Sequence, residues 1–188
     1  PLTEREKALE EAFFREQNAK LIESLRAKKA QSEQQEALSR VLGVRNDAVL
    51  APLLGLGVRA ESVAALVLAP LVAVAWADHQ LDDDERRAIV AAEQHYGIDP
   101  ASEAGTLLST WLEARPHDSL LDAWSAYVQA LAPSLAPAER DRLRDEILER
   151  SGRIARAFEK TFLRGGGPTR AEAAVLAKIE AAFARAGA

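Results

Sequence analysis

Apolar residues along the chain recur at intervals of three and four, the period of a helix with one buried face. No stretch shows sustained apolar–polar alternation bounded by hairpin turns, so the pattern predicts an all-α fold. Cap signals place the helices at about residues 4–30, 32–42, 47–56, 61–77, 82–96, 100–114, 118–132, 137–163 and 170–185. Thr3 with Glu6, Ser32 with Gln35, Asp82 with Glu85 and Thr169 with Glu172 each have the spacing of a capping box. Asp99 before Pro100 reads as an N-cap followed by a proline at the first helical position. Pro70 should bend the helix of 61–77, and the long segment 137–163 is expected to break near Gly152. The run Val63 to Ala77 is uncharged and apolar on every side, which places it at the centre of a compact bundle.

The first segment differs. Residues 3–36 hold no proline or glycine and are densely charged. Their apolar residues, Leu9, Phe13, Phe14, Leu21, Ile22 and Leu25, drift around the helix onto more than one face and as a set do not hold an a/d heptad. Two readings follow: a strap across the domain, or an arm that docks on a partner with Phe13 and Phe14 as anchors. Since a second apolar face stays wet unless something covers it, a homodimer through this helix is expected. The domain division is therefore 1–36 for the N-terminal helix and 37–188 for an all-helical domain.

Composition narrows the function. The 188 residues can bury a substantial core, and the lack of cysteine excludes disulfides, thiolate metal sites and a cysteine nucleophile. Net charge is −5, unlike the basic footprint of a nucleic-acid binder, so no nucleic-acid partner is expected. The charge is uneven: residues 46–113 carry eleven acids and three bases. The resulting negative field would draw cations or a basic partner. The charged stretch from Glu4 onward does not read as a signal peptide, and the apolar run at 63–77 is short for a bilayer and interrupted by Pro70. A cytoplasmic location with no transmembrane segment is the expectation.

Three segments echo one another when Glu85, Glu139 and Glu172 are aligned. In each a helix ends, a turn follows, and the glutamate stands in the first turn of the next helix. An aliphatic residue comes four positions on, at Ile89, Leu143 and Leu176, as in stacked helical hairpins. The first copy, "VAWADHQLDDDERRAI" at 74–89, resembles the signature of the TerB-like tellurite-resistance family. The closing "RGGGPTRAEAAVLAKIEAAF" is similar to the second such turn of that family, and the resemblance covers roughly residues 40–185. It implies an all-helical bundle with an acidic patch, no enzymatic activity, and a place in bacterial stress-response or membrane-associated complexes. It also implies divalent-cation binding, carried over onto Asp78, Asp82 and Glu85. Two departures stand out: His79 replaces the usual glycine, and Gly165, Gly166 and Gly167 stand where family members often carry an acid.

The same acids have a plainer use, since carboxylates in a first helical turn cap free N–H groups and complement the helix dipole. Hard cations want several oxygen ligands at once, and the alternating acids of an EF-hand are missing. His79, His95 and His117 are scattered, "RGGGP" lacks the Lys-Ser/Thr of a phosphate loop, and Ser109, Ser125 and Ser151 lack a nucleophile context. Trp76, Trp111 and Trp124 read as core. The sequence thus points to a non-enzymatic interaction module with an acidic surface and no cofactor, docking on a protein partner or a membrane-associated complex. The alternative is a divalent-cation-binding or metal-sensing protein using the turn 78–85.

Overall fold

The computed structural model describes residues 3–157 and 169–185, and these form an all-α fold with no strand among them. Helix α1 spans Glu4–Leu42, α2 Asp47–Gly55, α3 Ala69–Ala75, α4 Asp83–His95, α5 Glu103–Glu113, α6 Leu120–Leu131, α7 Pro137–Ala157 and α8 Arg170–Arg185. A 3₁₀ segment, Ala60–Leu68, leads straight into α3, and a shorter one, Ala132–Ser134, follows α6.

The core forms around the apolar run. Ala65, Leu68, Ala69, Leu71, Val72 and Val74 are buried at 1 % exposure or less, as the lack of any charge between 63 and 77 requires. Helix α3 packs against α6, α7 and α8, while the 3₁₀ segment packs against α5 and the root of α1. Trp124 and Phe183 meet edge-on, with ring centroids 5.8 Å apart, and join α6 to α8. Residues 60–75 are therefore central, but not one bent α-helix. The chain is 3₁₀ up to Leu68, and Pro70 falls at the start of α3, where its missing N–H has no helical partner to lose.

Other expected boundaries shift for local reasons. Segments 4–30 and 32–42 are one helix of 39 residues. Ser32 costs little inside a helix, and Gln35 does not turn back to cap it but donates to Asp47 Oδ1 at 2.6 Å. Helix α5 begins at Glu103 rather than Pro100. Asp99 caps only a turn, through Ala101 N–H at 2.9 Å, and Ser102 is the true N-cap, accepting from Gly105 N–H. Helix α7 continues through Gly152 without a break. The expected end of that helix at 163 lies outside the described residues.

The larger correction concerns α1 as a strap. Residues 3–34 are exposed throughout, and only Leu38 and Leu42 are buried. Thr3 starts the helix with a full capping box to Glu6, and Gly43, at φ 69°, ends it in the left-handed region that glycine tolerates. Between them the helix projects beyond the body. Leu9, Phe13, Phe14, Leu21, Ile22 and Leu25 are each between 50 % and 64 % exposed.

Candidate functional site

The acidic turn between α3 and α4 is built from caps. Asp82 is the N-cap of α4: its Oδ1 accepts from Glu85 N–H at 2.7 Å, and Glu85 Oε2 accepts from Asp82 N–H at 3.0 Å. Asp78 Oδ1 accepts from Gln80 N–H at 3.0 Å and closes the turn before it. His79, at φ 70°, takes the left-handed conformation, the only non-glycine residue to do so among those described.

The glutamates of the three repeated segments play the same part. Glu139 Oε2 accepts from Ala136 N–H at 3.1 Å, and Glu172 Oε2 accepts from Thr169 N–H at 2.6 Å. Their surroundings differ, because Glu85 and Glu172 are buried at 4 % exposure each, whereas Glu139 is exposed. Burial pushes the Glu85 carboxyl up to about 7, and the charges of Asp82, Asp78 and Glu172 push the same way. The backbone N–H of Asp82 opposes them. The three residues singled out from sequence thus share one electrostatic neighbourhood, with Glu172 as a fourth member. The alignment of the repeats pointed to Glu172 as a cap, not as part of this cluster.

Among the described residues, no group of three or more histidine, aspartate or glutamate side chains is placed to hold a metal ion. The glycines of the second turn, 165–167, and the rest of "RGGGP" lie outside the described residues.

A second polar group ties α4 to α7. Tyr96 donates to Glu146 Oε1 at 2.9 Å, and Arg150 lies over the Tyr96 ring at 5.0 Å while donating to the same carboxylate at 3.3 Å. Burial first, then the Glu146 carboxylate, pushes the Tyr96 phenol up to about 12. The end of α5 is held by donors from outside it. Trp76 Nε1 donates to Trp111 O, and Arg86 donates to Leu112 O, both at 2.8 Å. These carbonyls lack intrahelical partners, and a guanidinium beside them also complements the helix dipole. Sequence reasoning placed Trp76 in the core and gave Arg86 no role. Its position in the first turns of α4 carries no signal for a partner 26 residues on.

The remaining candidates are local. His117 Nδ1 and Ser119 Oγ are 2.8 Å apart in the exposed turn before α6, where Ser119 N–H also reaches Nδ1. Ser125 donates to Leu121 O within its own helix, and Ser109 to Glu113. An apolar recess of about 290 Å³ lies between the root of α1, the 3₁₀ segment, α6 and α7. Val63, Val67, Leu131 and Leu135 are part of its lining, which is aliphatic or aromatic apart from Arg140. No single helix among the described residues is long and apolar enough to cross a membrane. The bent pair Asp47–Gly55 and Ala60–Ala75, at 86°, reaches that length and composition only jointly. Comparison with family models, curated proteins and solved structures finds no match.

Proposed function

We propose that this chain is a non-enzymatic interaction module: a helical body of TerB-like type that presents α1 as its docking arm. One observation carries the reading. Six large apolar side chains stand half exposed or more on the projecting part of a helix of which only the last turns touch the body. Monomers rarely leave so many apolar groups on one projecting element unless something covers them. The resemblance of residues 74–89 supports placing such a module in a bacterial stress-response or tellurite-resistance-type system. The acid-rich stretch 46–113 gives the body a face suited to a basic partner.

The test is thermal unfolding of the chain shortened to start near Glu36. An arm that serves only association leaves the melting temperature of the body within about 3 °C of the full chain at low concentration. A loss of 10 °C or so would make α1 a structural part of the body and end the reading.

Divalent-cation binding at Asp78, Asp82 and Glu85 is the second reading. It draws support from the mutual repulsion of these acids and Glu172, which a cation would relieve. It ranks second because Asp78, Asp82 and Glu85 each accept from a backbone N–H of the turn.

A further inference from the structure

We infer that α1 pairs antiparallel with the α1 of a second copy of this chain, in the register that sets residue i against residue 39 − i of the partner. This rests on the interaction-module reading and adds to it the partner, the direction and the register.

Phe14, Asn18, Leu21 and Leu25 follow one another at intervals of four, three and four, the spacing of a narrow coiled-coil seam. Phe14, Leu21 and Leu25 are at least 55 % exposed. In an antiparallel pair, each seam layer joins the first apolar position of one heptad to the second of the other. The register of 39 sets Phe14 against the partner's Leu25 and Asn18 against the partner's Leu21, so the whole seam is covered at once. Sliding by a heptad in either direction uncovers half of it. Leu9 and Phe13 stand away from the seam and take no part, and Ile22 lies at its edge.

Charge selects the direction. Residues 3–16 of the arm hold five acids and three bases, and residues 17–34 hold two acids and four bases. Parallel pairing would set like halves together, whereas antiparallel pairing sets the acidic half on the basic one. In the register of 39, Glu11 falls against the partner's Lys28 in the layer immediately beyond the apolar ones, and Glu10 and Lys29, beside them on the flanks, add to the same contrast of charge between the halves. All four positions are exposed.

Length agrees independently. The midpoint of the register lies between Ala19 and Lys20, which is also the midpoint of Glu4–Gln35, the part of α1 between its N-cap and its first contact with the body. The two arms overlap over their whole free length, about 48 Å, and the partner's helix starts where this body begins. The partner's first turn, with Glu4 and Glu6, arrives beside the groove at the root of the arm that Arg40 and Arg45 help to line.

The experiment is sedimentation equilibrium of the full chain, with circular dichroism to check helicity. The wild type should dimerise at micromolar concentration. Glu10→Lys with Glu11→Lys makes both halves of each arm basic and should weaken the dimer about tenfold or more. Adding Lys28→Glu and Lys29→Glu to the same chain should restore it to within about threefold of the wild type. Restoration is specific to antiparallel pairing, because a parallel or arm-independent dimer gains nothing from the second pair of changes. Three outcomes would overturn the inference: a wild type that stays monomeric at 100-fold higher concentration, charge variants that dimerise like the wild type, or a monomer that floats with phosphatidylserine vesicles instead. The melting of the shortened chain is independent of all three, so failure here leaves the module reading to stand or fall on that measurement.

Discussion

Glu85 combines two demands that pull apart. Its carboxylate caps α4, yet it is buried beside three other acids, and its pKa rises to about 7 from the usual 4.5. A carboxyl raised in the folded state binds its proton more tightly there than in the unfolded chain. Its contribution to stability is therefore full below about pH 4.5 and is lost as the pH climbs to about 7. Glu85→Gln keeps an oxygen for the Asp82 N–H and removes the titration. It should be about 1–3 kcal/mol more stable than the wild type at pH 8 and show no difference at pH 4.5. Chemical denaturation at the two pH values measures this, and equal slopes with pH in both proteins would refute the assignment. His79 offers a second residue-scale test. Its left-handed φ of 70° strains a side chain that glycine would spare, against the greater freedom glycine has when unfolded. His79→Gly should raise stability by up to about 1 kcal/mol, and a clear loss would show that the imidazole contributes more than its backbone costs.

At the scale of elements, caps were legible and hydrogen-bond partners at a distance were not. The boxes at Thr3, Asp82 and Thr169 were readable because donor and acceptor lie three residues apart. Ser32 with Gln35 had the same spacing and failed, since nothing in four letters says whether a helix is already running through them. Pro100 misled in the same way. Ser102 caps α5, and the turn before it packs down on Gly105, where a Cβ would stand 2.4 Å from Asp99 O and 2.5 Å from Pro100 Cα. Backbone, not a flexible side chain, fills that space, so Gly105→Ala should cost about 2–3 kcal/mol despite the better helix propensity of alanine. A melting temperature at or above the wild-type value would show that the turn at 99–102 can move away. The turn 76–85 carries its own expectation. With Asp78, Asp82 and Glu85 already accepting from backbone N–H groups, millimolar calcium or magnesium should leave the melting temperature within about 1 °C in both the wild type and Asp78→Ala. A rise in the wild type alone would instead establish the cation site.

At the scale of the molecule, burial was readable and projection was not. The uncharged run at 63–77 reads as enclosed, and its stretch 65–75 holds some of the most buried residues of the body, although Ala64 is exposed and Val63 and Val67 are half-buried at the recess. The six apolar residues of the arm fitted a strap equally well, because periodicity says which faces of a helix are apolar but not where its axis points. What sends α1 outward is the way it joins the body, through its last turns only, with Leu38 and Leu42 buried and a bond from Gln35 to Asp47. An arm held only at its root should behave differently from the body. Residues 3–34 have no tertiary packing to hold them, so in dilute monomer the backbone of the arm opens locally at lower cost than that of the core helices. The amides of the core helices open only as the body itself unfolds. Hydrogen exchange resolved by peptide should therefore show residues 8–34 exchanging within seconds to minutes at sub-micromolar concentration, while residues 65–75 and 120–128 take hours. A second copy paired with the arm would stabilise it by mass action, so on the proposed pairing protection of 8–34 alone should rise as the concentration is increased. If the arm is as protected as the body in dilute solution, then it is packed against something within its own chain.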